Sequence, residues 1–138
     1  MRTDGQRPAR VTAYPLTDAH RRELLDTAAS TIGHALATGE RILPEPHDDP
    51  ALAQAAATFV TLEREDVLLG CVGTLDATEP LGINVARNSW NAAFADPRLP
   101  SVTNADFAVM SIKVSVLSPL TPMRARSWRE VHRAVRPG

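Results

Sequence analysis

Cysteine is almost missing from this sequence: Cys71 is the only one in 138 residues. One thiol excludes an intrachain disulfide and any cysteine-based zinc site within a single chain. It fits a reducing compartment, where thiols stay free. An excess of basic charge is also missing, because 15 Lys and Arg face 16 Asp and Glu for a formal net charge of -1. There is therefore no whole-domain basic footprint, and no nucleic-acid partner is expected. Apolar runs are short, and none approaches the roughly 20 residues that cross a bilayer. The stretch Met1 to Arg10 is polar and lacks the apolar segment of a secretory signal. The expectation is a soluble, cytoplasmic protein with no membrane association. No glycine-rich phosphate loop with its lysine is present, and internal repeats are absent. The histidines His20, His34, His47 and His132 are scattered without the spacing of a helical metal motif. No cofactor and no metal are expected.

What is present is ordinary globular material, with 43% hydrophobic and 22% charged residues. The length suits one domain. Thr17 and Asp18 offer capping oxygens ahead of a helical pattern in which Leu24 or Leu25, Ala28, Ile32, Ala35 and Leu36 share one face. Gly39 stands where that helix should end. Pro44, Pro46 and Pro50 then make a stiff connector, since each proline removes a donor and restrains its predecessor. A short helix is expected over Ala51 to Ala57. Thr58 to Glu63 and Val67 to Thr74 read as two strands of a hairpin, with Arg64, Glu65 and Asp66 as its polar tip. Glu79-Pro80 opens a second long helix, with Leu81, Val85, Ser89, Ala92 and Ala93 on one side, and the helix stops before Asp96-Pro97. Val109 to Ser118 alternates: Met110, Ile112, Val114 and Val116 point one way, and Ser111, Lys113 and Ser115 the other. That predicts one buried and one wet face, as in an antiparallel sheet. Ser127 and Glu130 suggest a capping box for a last helix through Val135.

Four segments carry a family likeness when read in order. They are Phe59-Val60-Thr61-Leu62, Gly70-Cys71-Val72-Gly73-Thr74, Ala92-Ala93-Phe94 with Asp96-Pro97-Arg98, and Val114-Ser115-Val116-Leu117-Ser118-Pro119. Together they resemble the AMMECR-domain family, whose bacterial members are called AmmeMemoRadiSam system protein A. The resemblance implies an α+β fold, an antiparallel sheet with flanking helices in a two-lobed single domain. Residues 1–15 are then a flexible N-terminal tail and 16–138 the AMMECR-like domain. Two departures stand out. The family signature carries arginine before its Gly-Cys, where this chain has Leu69. The family's domain also runs on past Arg136-Pro137-Gly138, so the resemblance implies that a C-terminal part is missing.

Cys71 is the first candidate for chemistry. Strict alternation along its strand would put Val67, Leu69 and Cys71 on one face. An arginine at position 69 would then favour the thiolate, which Leu69 cannot do. The competing reading is a small buried core residue. Gly70 and Gly73 flank the thiol, either admitting a ligand close to the backbone or packing tightly against a helix. Asp96 and Arg98 either bind a polar ligand or build a turn by pairing locally. His47 beside Asp48 and Asp49 reads as solvated loop polarity, and Glu63 to Asp66 as a solvated turn. Arg124, Arg126, Arg129, Arg133 and Arg136 make the C-terminus locally basic, the last two through helix-dipole complementarity, or the cluster as a docking surface for an acidic partner. Trp90 and Trp128 read as core or lobe-interface residues.

The resemblance implies an accessory or substrate-binding component that acts with a radical S-adenosylmethionine enzyme and a Memo-type protein. The alternative is an enzyme using Cys71 as a nucleophile for covalent catalysis. A third reading is a family member that has lost its ancestral activity.

Overall fold

The chain is described by a computed structural model over residues 15–117. Its first helix, α1 (Asp18–Thr38), begins and ends where its sequence says. Thr17 Oγ1 accepts from the His20 amide at 3.2 Å, and His20 Nδ1 accepts from the Thr17 amide at 3.0 Å. Histidine thus fills the place that Glu or Gln usually takes in a capping box. At the other end Gly39 adopts φ +79°, a left-handed cap that glycine reaches without strain. Leu24, Ala28, Ile32 and Ala35 form the buried stripe, and a leucine or isoleucine buried this completely contributes about 1.5–3 kcal/mol.

The proline connector leads to α2 (Pro50–Ala53), a single turn capped by Asp49, whose Oδ1 accepts from the Ala51 amide at 2.9 Å. This is shorter than the helix expected over Ala51 to Ala57, because Ala57 is already paired with Leu117 in the sheet. Asp49 Oδ2 also meets His20 Nε2 at 2.8 Å, fastening α2 to the start of α1.

β1 (Ala57–Arg64) and β2 (Val67–Gly73) form the expected hairpin. The tip is tighter than expected, since Arg64 pairs with Val67 and leaves only Glu65 and Asp66 in the turn. Both have positive φ, 51° and 66°, as a two-residue turn between right-twisted strands requires. Neither side chain favours that region. Asp66→Gly is expected to raise stability by about 0.5–1 kcal/mol, read from urea unfolding. An unchanged or lower midpoint would contradict it.

α3 (Leu81–Phe94) follows, with Pro80 as N-cap and not as the first helical residue. A short α4 (Asn104–Val109) was not expected, although Thr103 and Asp106 form a capping box that announces it. β3 (Ser111–Leu117) is consequently shorter than the strand expected from Val109, because Val109 belongs to α4. The sheet order is β2-β1-β3 with both pairings antiparallel, so β1 is central. α3 packs on β1 and β2, and α1 packs on α3. The architecture is α+β.

Two expectations about faces fail. Lys113 and Ser115, placed on a wet face by alternation, are only 8% and 1% exposed. Lys113 is tolerated there because its Nζ reaches Glu63 Oε1 at 2.5 Å, and a buried charge needs such a partner. The alternation that would align Val67, Leu69 and Cys71 also breaks. Leu62 pairs with Gly70 and Glu63 with Leu68, so Leu69 is the extra residue of a bulge. Leu69 packs against the hydrophobic core, while the Cys71 thiol sits against Thr61. The helix expected from Ser127, the basic C-terminal residues, Trp128 and His132 lie outside the described residues.

Candidate functional site

The site is assembled by one close approach. A Cβ added at Gly70 would lie 1.9 Å from the backbone oxygen of Ala92, so the last turn of α3 rests directly on β2 at this glycine. The chain leaves α3 there, and Asp96 arrives beside Cys71. Among the described residues β2 is an outer strand, and the outward N–H and C=O of Cys71 have no strand there to pair with. Asp96 and Arg98 take both. Asp96 Oδ2 accepts from the Cys71 amide at 3.1 Å, and Arg98 Nη2 donates to the Cys71 carbonyl at 3.2 Å.

The two clamping residues also hold each other. Asp96 Oδ1 accepts from the Arg98 amide and from its Nε, each at 3.0 Å, and Oδ2 accepts from Nη2 at 2.7 Å. The amide contact two residues ahead is the local turn that Asp-Pro favours. The Asp96 side chain is 2% exposed, whereas the Arg98 side chain is 61% exposed. The guanidinium hydrogen bonds hold the Asp96 carboxyl far below its ordinary 3.8, despite the opposing effect of burial. Arg98 is shifted up by the same partner. A carboxylate with a depressed folded pKa adds stability that is complete above its unfolded value and is lost as pH falls. Stability is therefore expected to drop as pH falls below the ordinary carboxylate value of 3.8. The drop should be shallower in Asp96→Asn. Equal acid slopes in urea titrations of the two proteins would sink this assignment.

Across the sheet, Thr61 lies opposite Cys71 on one side and Lys113 on the other. Cys71 Sγ is 3.3 Å from Thr61 Oγ1 and is half-buried. A thiol, a hydroxyl, an ammonium and the Glu63 carboxylate thus share one face. Gly73, the second flanking glycine, faces the Phe59 ring, 2.4 Å from where a Cβ would stand. Cys71, Gly70, Asp96 and Arg98 are brought into one contiguous site, with Gly73 two residues along the same strand. The described histidines go elsewhere. His20 meets Asp49, His34 faces Glu40 at 3.5 Å, and His47 packs on Gly82. No group of three or more His, Cys, Asp or Glu among the described residues is arranged to hold a metal. No helix among them is long and apolar enough to cross a membrane.

A second polar cluster lies between α3 and the sheet. Asn84 Oδ1 accepts from Thr58 Oγ1 at 2.7 Å, Thr74 Oγ1 at 3.1 Å and Asn88 Nδ2 at 3.2 Å. Asn84 Nδ2 donates to Glu79 Oε2 at 2.8 Å, and Arg87 closes on Glu79 from outside. Burial pushes the Glu79 carboxyl up, but the Arg87 and Asn84 hydrogen bonds outweigh it and the net direction is down. The sequence carried a signal for this layer. Asparagine is a poor helix former, and Asn84 and Asn88 stand one turn apart on a helix whose neighbouring positions are apolar.

Residues 25–136 match the AMMECR1 family model, which covers most of the chain. The chain belongs to the AMMECR1 family. A protein of Methanothermobacter thermautotrophicus is 32% identical over 125 residues, covering 90% of this chain and 65% of its own. One from Thermotoga maritima is 39% identical over 71 residues, 50% of this chain and 41% of its own. The crystal structure of the uncharacterized protein PH0010 from Pyrococcus horikoshii matches with a TM-score of 0.68 at 32% identity, over 75% of this chain and 54% of that one. This AMMECR1 chain thus spans less than two thirds of the length of these relatives.

Proposed function

We propose that this protein is an accessory, substrate-binding component that acts with a radical S-adenosylmethionine enzyme and a Memo-type protein. The binding surface is the edge formed by Cys71, Gly73 and Arg98, while Gly70 lies beneath the end of α3 and serves packing. The partnership rests on the family resemblance. The observation favouring binding over catalysis is the thiol's company. Among the described residues its hydrogen-bond partner is the Thr61 hydroxyl, and the nearby Asp96 carboxylate is engaged by four N–H donors. A nucleophilic cysteine needs a base within reach. The test is direct binding of the purified chain to each partner protein from the same organism. Cys71→Ser should bind with unchanged affinity, and Arg98→Glu at least about tenfold more weakly, the 1.4 kcal/mol of one well-placed contact. Loss of binding in Cys71→Ser, or no binding by the unaltered chain, would sink this reading.

The intermediate exposure of Cys71 and its free thiol favour the alternative of covalent catalysis by Cys71. A chain mass increase located at Cys71 after incubation with a candidate acyl donor would support it.

A further inference from the structure

We infer that Asp96 and Arg98 are positioning residues for the Cys71 side chain, acting through its own peptide groups. This goes beyond the proposed function, in which partner binding does not need the thiol, and rests on the Cys71 edge being the working surface.

An edge strand is held on one side only, so its outward peptide groups are the first to loosen. At Cys71 both outward groups are tied, the N–H to Asp96 Oδ2 and the C=O to Arg98 Nη2. Fixing the peptide planes on either side of a residue fixes the direction of its Cα–Cβ bond. The thiol is thereby held against Thr61 Oγ1, across a strand pair whose facing backbone groups point away from each other. The clamp is itself rigid. Asp96 is buried, and Arg98 grips it through its backbone amide and through Nε and Nη2 of its planar guanidinium fork. Gly70 completes the device, because only a residue without Cβ lets α3 deliver Asp96 to this edge. The pair therefore does for Cys71 what a neighbouring strand does for an inner-strand residue, while leaving the outer face of Arg98 open.

The test compares amide hydrogen exchange at Cys71 and Val60, and iodoacetamide alkylation of the Cys71 thiol, in the full chain. The variants are Arg98→Gln, Arg98→Lys and Asp96→Asn. Cys71 exchange is expected to rise about tenfold relative to Val60 in Arg98→Gln, because opening there becomes local. Arg98→Lys should behave like Arg98→Gln, since lysine has no bidentate fork. The alkylation rate should change in step, by about threefold or more, as the thiol leaves its fixed direction. If Asp96→Asn fails to fold, the exposed Arg98 carries the test alone. An unchanged ratio, or Cys71 and Val60 exchange rising together, overturns the inference. If the ratio rises while no partner protein binds, positioning stands and the partnership falls.

Discussion

Gly70→Ala is expected to destabilise the chain by about 3 kcal/mol or more, or to prevent folding altogether. The added Cβ would lie 1.9 Å from the Ala92 carbonyl oxygen and 2.8 Å from its carbon. Both are helix backbone, so relief requires moving the end of α3 off the sheet. That movement would also withdraw Asp96 from Cys71, coupling fold and site. Gly73→Ala is the internal comparison. Its Cβ would meet the Phe59 ring at 2.4 Å, and a ring can turn where a helix cannot. Its expected cost is smaller, about 1–2 kcal/mol. Guanidinium unfolding of both variants decides the matter. Equal losses, or a Gly70→Ala protein as stable as the parent, would mean that α3 does not rest on β2 as described.

Asn84→Leu is expected to cost about 3 kcal/mol, although it replaces a buried polar residue by an apolar one of similar size. The reason lies in what it leaves behind. Thr58 is 0% exposed, and its hydroxyl loses the Asn84 oxygen that it donates to. Thr74 and Asn88 lose the same acceptor, and Glu79 loses a donor. An unmade buried hydrogen bond costs more than a made one contributes. Combining Asn84→Leu with Thr58→Val removes both partners of one bond. The double variant should therefore lose about 1 kcal/mol less than the sum of the singles. Simple additivity in urea unfolding would show that the two groups do not depend on each other.

The elements whose signals are local were legible in the order of residues alone. Thr17 and Gly39 bound α1, the proline run ends helical structure, and the β-branched stretches on either side of Glu65-Asp66 make the hairpin. Each depends on backbone preferences or on hydrogen bonds within a few residues. The run around Gly70-Cys71-Val72-Gly73, with Asp96-Pro97-Arg98, also marked the family and named the residues of the candidate site. Strict period-two reasoning failed where tertiary packing interrupts it. A bulge at Leu69 cannot be read from one strand, because it is a mismatch between two. The burial of Lys113 depends on Glu63, fifty residues away and brought near only by strand pairing. Whether Asp96 and Arg98 form merely a turn or a clamp was equally closed to the sequence. Both readings begin with the same local Asx contact. Only the landing of α3 on Gly70 brings that turn to the unpaired peptide of Cys71, and such a landing is a property of packed surfaces, not of neighbouring residues.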